Sequence, residues 1–150
     1  LFNILMNLTK QKKDNLLLFS SFVMFCSYFT SDHFYELFFQ ASTYLTWFVY
    51  DVVTLLVIFI FSYKFTNKIS AGVIYTYIGL CINSLLFLAM YFDRFIFKND
   101  VRWILWDLYS AGVNIIDFIM IIGLIVNKDY LGIIRFSKYI TTPIRKKALS

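Results

Sequence analysis

Three aspartates, Asp51, Asp107 and Asp117, lie inside long apolar stretches of a 150-residue chain, with no lysine or arginine at matching depth to neutralise them. Carboxylates in such surroundings can tie helices together by hydrogen bonds, attract or relay a cation or a proton, or work as a pair on a water molecule. Asp107, Ser110, Asn114 and Asp117 follow offsets of 3, 7 and 10, which places all four on one face of a helix. Tyr44, Trp47, Asp51 and Thr54 repeat those offsets, while Gly72, Thr76, Gly79 and Asn83 form a small-and-polar face of the kind that lets helix backbones approach closely. Ser20 and Ser27, seven apart, mark a weaker stripe. Asp51, Thr54, Gly79, Asn83, Asp107, Asn114 and Asp117 are therefore the candidates for interhelical contacts, oligomer contacts or an ion path. With no cation in the spans, the acids are expected to be protonated and to donate hydrogen bonds to Asn83, Asn114 or Thr54. In a symmetric oligomer, a ring of such acids would line a cation-attracting constriction.

Catalytic chemistry finds less support. Tyr50-Asp51 matches one half of the signature of intramembrane aspartyl proteases, but Asp117 follows Asn114-Ile115-Ile116 and not the Gly-x-Gly that completes it. There is no HExxH and no glycine-rich phosphate loop, and the lone histidine, His33, has no second histidine or cysteine nearby to make a metal site. Cys26 and Cys81 both fall in apolar stretches, where free thiols act as small hydrophobes. The expectation is a protein that is not an enzyme and has no metal or cofactor. Asn7-Leu8-Thr9 fits a glycosylation acceptor but falls on the side expected to be cytoplasmic.

The elements that must carry the acids are membrane spans. Hydrophobic residues make up 60% of the chain and charged residues 15%, and mean hydropathy is +0.70, against roughly half and about a quarter in soluble domains. A crossing helix needs about 20 mainly apolar residues, and four stretches qualify, at 15–31, 37–63, 69–92 and 103–126, the first being short. These are too long for transmembrane strands, which run about 10 residues of alternating polarity. The fold class predicted is all-α, a four-transmembrane-helix bundle forming one membrane domain over residues 1–150. An aspartate at a span centre costs about 2.5 to 3.5 kcal/mol, and each strongly apolar residue returns roughly 0.3 to 0.6. Insertion still wins, and the cost argues that the acids face protein. The rise of about 1.5 Å per residue puts Asp51 and Asp117 within about 5 Å of the midplane, where they can meet.

Orientation follows from the basic residues. The N-terminal segment, the second connection and the tail (127–150) hold eleven Lys and Arg, against three in the other two connections, so both termini are expected to be cytoplasmic. No small-x-small cleavage site follows the first span, which is expected to remain as an anchor. The chain opens at Leu1, with Met6 its first methionine, which points to a non-AUG start or a trimmed terminus. Trp103, Trp106, Tyr28, Tyr35 and Tyr44 suit an aromatic belt at the outer interface. The tail alternates Tyr130, Ile133, Ile134 and Ile140 with Lys128, Arg135 and Lys138, as in an interfacial amphipathic helix that ends at Pro143. Lys128, Arg135, Lys138, Arg145, Lys146 and Lys147 are the candidates for docking anionic lipid headgroups or an acidic cytosolic effector protein. No recognition fold for nucleic acid fits in such short segments.

Abundant Phe, Tyr, Ile, Asn and Lys suggest an AT-rich bacterial genome or mobile element and hence the bacterial inner membrane. In size, four-helix topology, short connections and this composition, the chain resembles the small membrane subunits of bacterial phage-defence systems, the Kiwa membrane subunits among them. The resemblance covers architecture and carries over no residue roles. It implies a non-catalytic subunit that forms homo-oligomers and anchors or signals to a cytosolic effector. The alternative read from the residues is a small ion or proton channel lined by Asp51 and Asp117. A carrier would be expected to show inverted repeats or broken helices.

Overall fold

A helix satisfies the backbone N–H and C=O groups of such an apolar run from within the run itself, and every element among the described residues is helical. The computed structural model describes residues 14–33, 43–65, 69–129, 131–133 and 135. It contains α1 (Asn15–His33), α2 (Thr43–Phe65), α3 (Ala71–Tyr91) and α4 (Ile104–Val126), with a π-helical turn, Phe92–Ile96, prolonging α3. Three helices are long and apolar enough to cross a membrane, over Thr43–Lys64, Ala71–Ile96 and Ile104–Val126. The fourth apolar helix covers Asn15–Ser31 and is shorter. The expected start of the second span, at 37, lies outside the described residues.

The helix ends are tied locally and across the fold. Asp14 Oδ1 accepts the N–H of Leu17 at 3.0 Å and so caps α1. Ser70, at the N-cap of α3, makes no side-chain capping bond; instead Asn127 Oδ1 accepts the N–H of Gly72 at 3.0 Å. Asn127 sits in the left-handed region at φ 50° and ends α4, its own N–H bonded to Gly123 O at 2.9 Å. One asparagine thus stops α4 and starts α3.

Helix α3 is the centre of the bundle, packed along α4 and α2, while α1 rests mainly on α2. Backbones can only approach this closely where side chains are missing, and the α3–α4 contact is built on glycines. A Cβ at Gly72 would stand 2.5 Å from the Gly123 carbonyl oxygen, and one at Gly123 would stand 2.9 Å from Tyr75 Cβ. At Gly79 it would collide with Met120. In lipid, where apolar surface gains nothing by leaving one hydrocarbon for another, this close fit and interhelical hydrogen bonds are what hold helices together.

The bundle has two unlike halves. In the lower half, where α1 and α3 begin and α2 and α4 finish, Leu16, Leu17, Ile58, Val73, Leu80, Met120 and Leu124 form a buried apolar core, with Met24 at its upper edge. In the upper half α1 and α4 stand apart. Around the outside, large apolar side chains such as Phe25, Phe59, Ile60, Leu85, Phe118 and Ile121 are exposed, far more than a water-facing surface carries.

Candidate functional site

A cavity of about 390 Å³ fills the gap in the upper half. Ser27, Tyr28 and Ser31 line it from α1; Trp47, Tyr50 and Asp51 from α2; Phe87 from α3; and Tyr109, Ser110, Val113, Asn114 and Asp117 from α4. Asp51 and Asp117 each fall within three residues of the midpoint of their helix, about 5 Å or less along the axis, so the two acids form the floor at mid-bundle. Below them the apolar core closes the way. Above them Tyr44, Trp47, Phe87 and Tyr109 form a closed circuit of ring contacts with centroids 5.4–6.2 Å apart, the favoured geometry of aromatic pairs.

The two acids are held differently. Asp117 Oδ1 accepts two hydrogen bonds, from the Tyr28 hydroxyl at 2.6 Å and from Asn83 Nδ2 at 2.6 Å, so α1, α3 and α4 converge on one oxygen. Asp51 is 6% exposed, yet its Oδ2 has no hydrogen-bond partner among the described residues, and neither has Asn83 Oδ1. Both acids line the same cavity. Among the described residues no lysine or arginine lines the cavity. Buried polar atoms are paired in the great majority of cases, and of the described residues with an unpaired buried side-chain atom Asp51 is the one that also lines the cavity.

The predicted stripes prove to be real faces, but their members do not all meet. Ser110, Asn114 and Asp117 line the cavity together with Trp47 and Asp51. Asp107 does not. It lies at the upper end of α4 with its side chain 60% exposed, ion-paired to Arg102, which corrects the expectation that it lacks a cation. Arg102, five residues earlier, reaches it because Trp103 before α4 is fully extended, at φ −140°. Neither Thr54 nor Asn114 bonds to an acid: Thr54 donates to Ser27 Oγ at 2.6 Å and Asn114 to the Ser110 carbonyl at 2.6 Å. Asn83 does pair with Asp117, but as the donor through Nδ2, with the acid accepting. Gly79 packs against Met120 and away from the cavity. Of the docking candidates, Lys128 and Arg135 are exposed, while Lys138, Arg145, Lys146 and Lys147, and most of the expected interfacial helix, lie outside the described residues. Cys26 and Cys81 are free thiols.

Three features were not foreseen. Tyr28, assigned to the interfacial belt, turns inward; its spacing from Ser27 and Ser31, which share its face, was the available signal. Asp93 is buried within the π-helical turn and accepts hydrogen bonds from Trp103 Nε1 at 3.1 Å, Trp106 Nε1 at 3.0 Å and Asn99 Nδ2 at 3.1 Å. Arg94 stacks over the Trp106 ring at 4.7 Å and pairs with Asp100 at 3.3 Å. At the opposite end, the Tyr75 hydroxyl donates to Asp129 Oδ1 at 2.8 Å and accepts the N–H of Leu131 at 2.9 Å. That ties the chain beyond α4 to the foot of α3.

No protein-family model, curated protein or solved structure matches the chain.

Proposed function

We propose that the chain is a multi-pass protein of the bacterial inner membrane, crossing it four times with both termini cytoplasmic, and that its mid-membrane cavity binds a cation or a proton. The observation that carries this reading is Asp51, buried with an unpaired oxygen and lining, together with the Asp117 carboxyl, a cavity that no lysine or arginine lines among the described residues. Ionisable residues inside a membrane are costly, and they recur where ions, protons or ligands are handled. The excess of basic residues in the segments next to the lower half supports placing that half toward the cytoplasm. The cavity then faces outward and the apolar core separates it from the cell interior. That favours a gated site over a standing pore within one chain.

The test is ion movement in proteoliposomes loaded with a pH-sensitive dye and driven by a potassium diffusion potential. The expected result is a proton or cation flux that Asp51→Asn reduces by about tenfold or more, since removing one buried charge from a binding site is worth upwards of 1.4 kcal/mol. Flux equal in the two proteins would sink the reading.

A second reading is a non-catalytic, oligomerising subunit that anchors or signals to an acidic cytosolic effector through the basic tail. The hydrogen bonds that Asn127 and Asp129 accept from Gly72 and Tyr75, and that Leu131 donates to Tyr75, favour it, because they couple the start of the tail to the central helix. Affinity purification in mild detergent, with Lys128 and Arg135 changed to Glu, would test it; unchanged recovery of a partner would remove the role of those charges.

A further inference from the structure

We infer that the cavity recognises an organic ammonium cation, held by Asp51 and Asp117 against the faces of Trp47, Tyr50 and Tyr109. This rests on the cation-site reading and specifies its ligand.

The size and the walls both point this way. At about 390 Å³ the cavity falls in the range of roughly 300 to 1,000 Å³ that holds small molecules, far larger than a proton or a single inorganic ion requires. Among the described residues no group of three or more His, Cys, Asp or Glu stands together as a metal donor set. An inorganic divalent cation prefers six or more oxygens at short range. Two carboxylates below a wall of rings suit a diffuse charge on a carbon-covered nitrogen.

Tyr109, eight residues and about 12 Å of rise from Asp117 on α4, lies higher in the cavity and meets the carbon part of the ligand, whereas Trp47 lies four residues from Asp51, one turn up the same face of α2. A turn rises about 5.4 Å, so a cation seated above Asp51 comes within the roughly 6 Å over which an aromatic face attracts it. Tyr50 and Phe87 complete the lining on that side. Each ring contact adds to the attraction, and adds more where water is excluded. Burial makes the carboxylates count for more than they would in water, because there is less solvent to screen them. Asp51 lines the cavity, and because its buried Oδ2 has no hydrogen-bond partner among the described residues, the carboxyl gives up no protein contact there when it turns to the cation. A neutral molecule of the same shape would gain the rings and forgo the charge.

The ammonium can belong to a soluble amine or to the headgroup of a zwitterionic lipid, and the chemistry of recognition is the same. The experiment is equilibrium dialysis of radiolabelled benzyltrimethylammonium with the full chain in non-ionic detergent, with neopentylbenzene as the uncharged isostere. Saturable binding is expected, with the isostere at least about tenfold weaker as a competitor, the factor that 1.4 kcal/mol represents. Asp51→Asn is expected to weaken binding by about tenfold or more, and Trp47→Leu by about threefold to tenfold, with Trp47→Phe restoring most of it. The ring-keeping variant separates loss of recognition from loss of folding. Displacement by phosphatidylethanolamine would assign the natural cation to a lipid headgroup; displacement by soluble amines alone would assign it to a free solute. Equal competition by the isostere, or unaltered affinity in both Asp51→Asn and Trp47→Leu, overturns the inference. Asp51-dependent flux of protons or inorganic cations without probe binding overturns it too, yet leaves the cation-site reading standing. Absence of both binding and flux removes the two together.

Discussion

Asp51 and Asp93 are equally buried, each 6% exposed, and they live in opposite circumstances. Asp93, at the upper rim, gathers two indole N–H groups and an amide around its carboxylate and so closes the turn from α3 into α4. Asp51, at mid-bundle, has one oxygen with no donor and a cavity beside it. An acid kept for structure uses its hydrogen-bonding capacity on the protein, because an unmet buried acceptor costs about 1 to 3 kcal/mol. An acid that retains that capacity holds it for something else. The two halves of the bundle repeat the contrast on a larger scale: below, glycines bring α3 and α4 into contact over an apolar core; above, aromatic and polar side chains border open space.

The sharpest way to break this comparison is in the packed half. Gly72→Val would drive a side chain into the Gly123 carbonyl, and since the obstacle is backbone it cannot step aside. A loss of about 3 kcal/mol is expected, the upper end of ordinary overpacking, read as a lower midpoint of helix loss on titration with sodium dodecyl sulfate. A midpoint like that of the parent would mean that the glycine contact is loose and the halves are less different than described.

A smaller effect is expected at the rim. Asp93→Ala strands the Trp103 and Trp106 N–H groups at once, at a cost of about 2 kcal/mol, with a red shift in tryptophan emission as the indoles lose their anchor. Were stability unchanged, Asp93 would no longer serve as the satisfied member of the pair.

The smallest change in stability belongs to Asp51. Replacing an unpaired buried carboxyl by an amide of the same shape removes no hydrogen bond made by its Oδ2. The stability of Asp51→Asn should therefore stay within about 0.5 kcal/mol of the parent, or rise, because an uncompensated buried charge costs rather than stabilises. Thermal unfolding in detergent decides this. A loss matching that of Asp93→Ala would make Asp51 a structural acid.

Much of this arrangement was legible beforehand. The apolar runs named the helices to within a few residues at the ends that are described, and the 3.6-residue period put Asp117 with Asn114 and Ser110, and Asp51 with Trp47, on faces that do border one cavity. The small-residue stripe from Gly72 to Asn83 is buried as its composition implied. Asp107 shows where the reading fell short: the same rise per residue that set Asp51 and Asp117 at the centre puts Asp107 near the end of its span, yet it was grouped with the central acids. Tyr28 fails for another reason, because an aromatic near a span end is equally suited to the interface and to the interior.

What the chain's order of residues determined alone is local: apolar runs long enough to need internal hydrogen bonding become helices, and polar residues three and four apart share a side. Which sides meet was decided by the tertiary structure. Helices α1 and α4, distant in sequence, come together on Asp117 only because α3 packs tightly on α4 through glycine while α1 leans on α2, and the gap left between them is the cavity. Helical period is a property of one backbone. The rotation and spacing of neighbouring helices depend on how all their side chains fit at once, and that fit leaves Asp117 bound and Asp51 free.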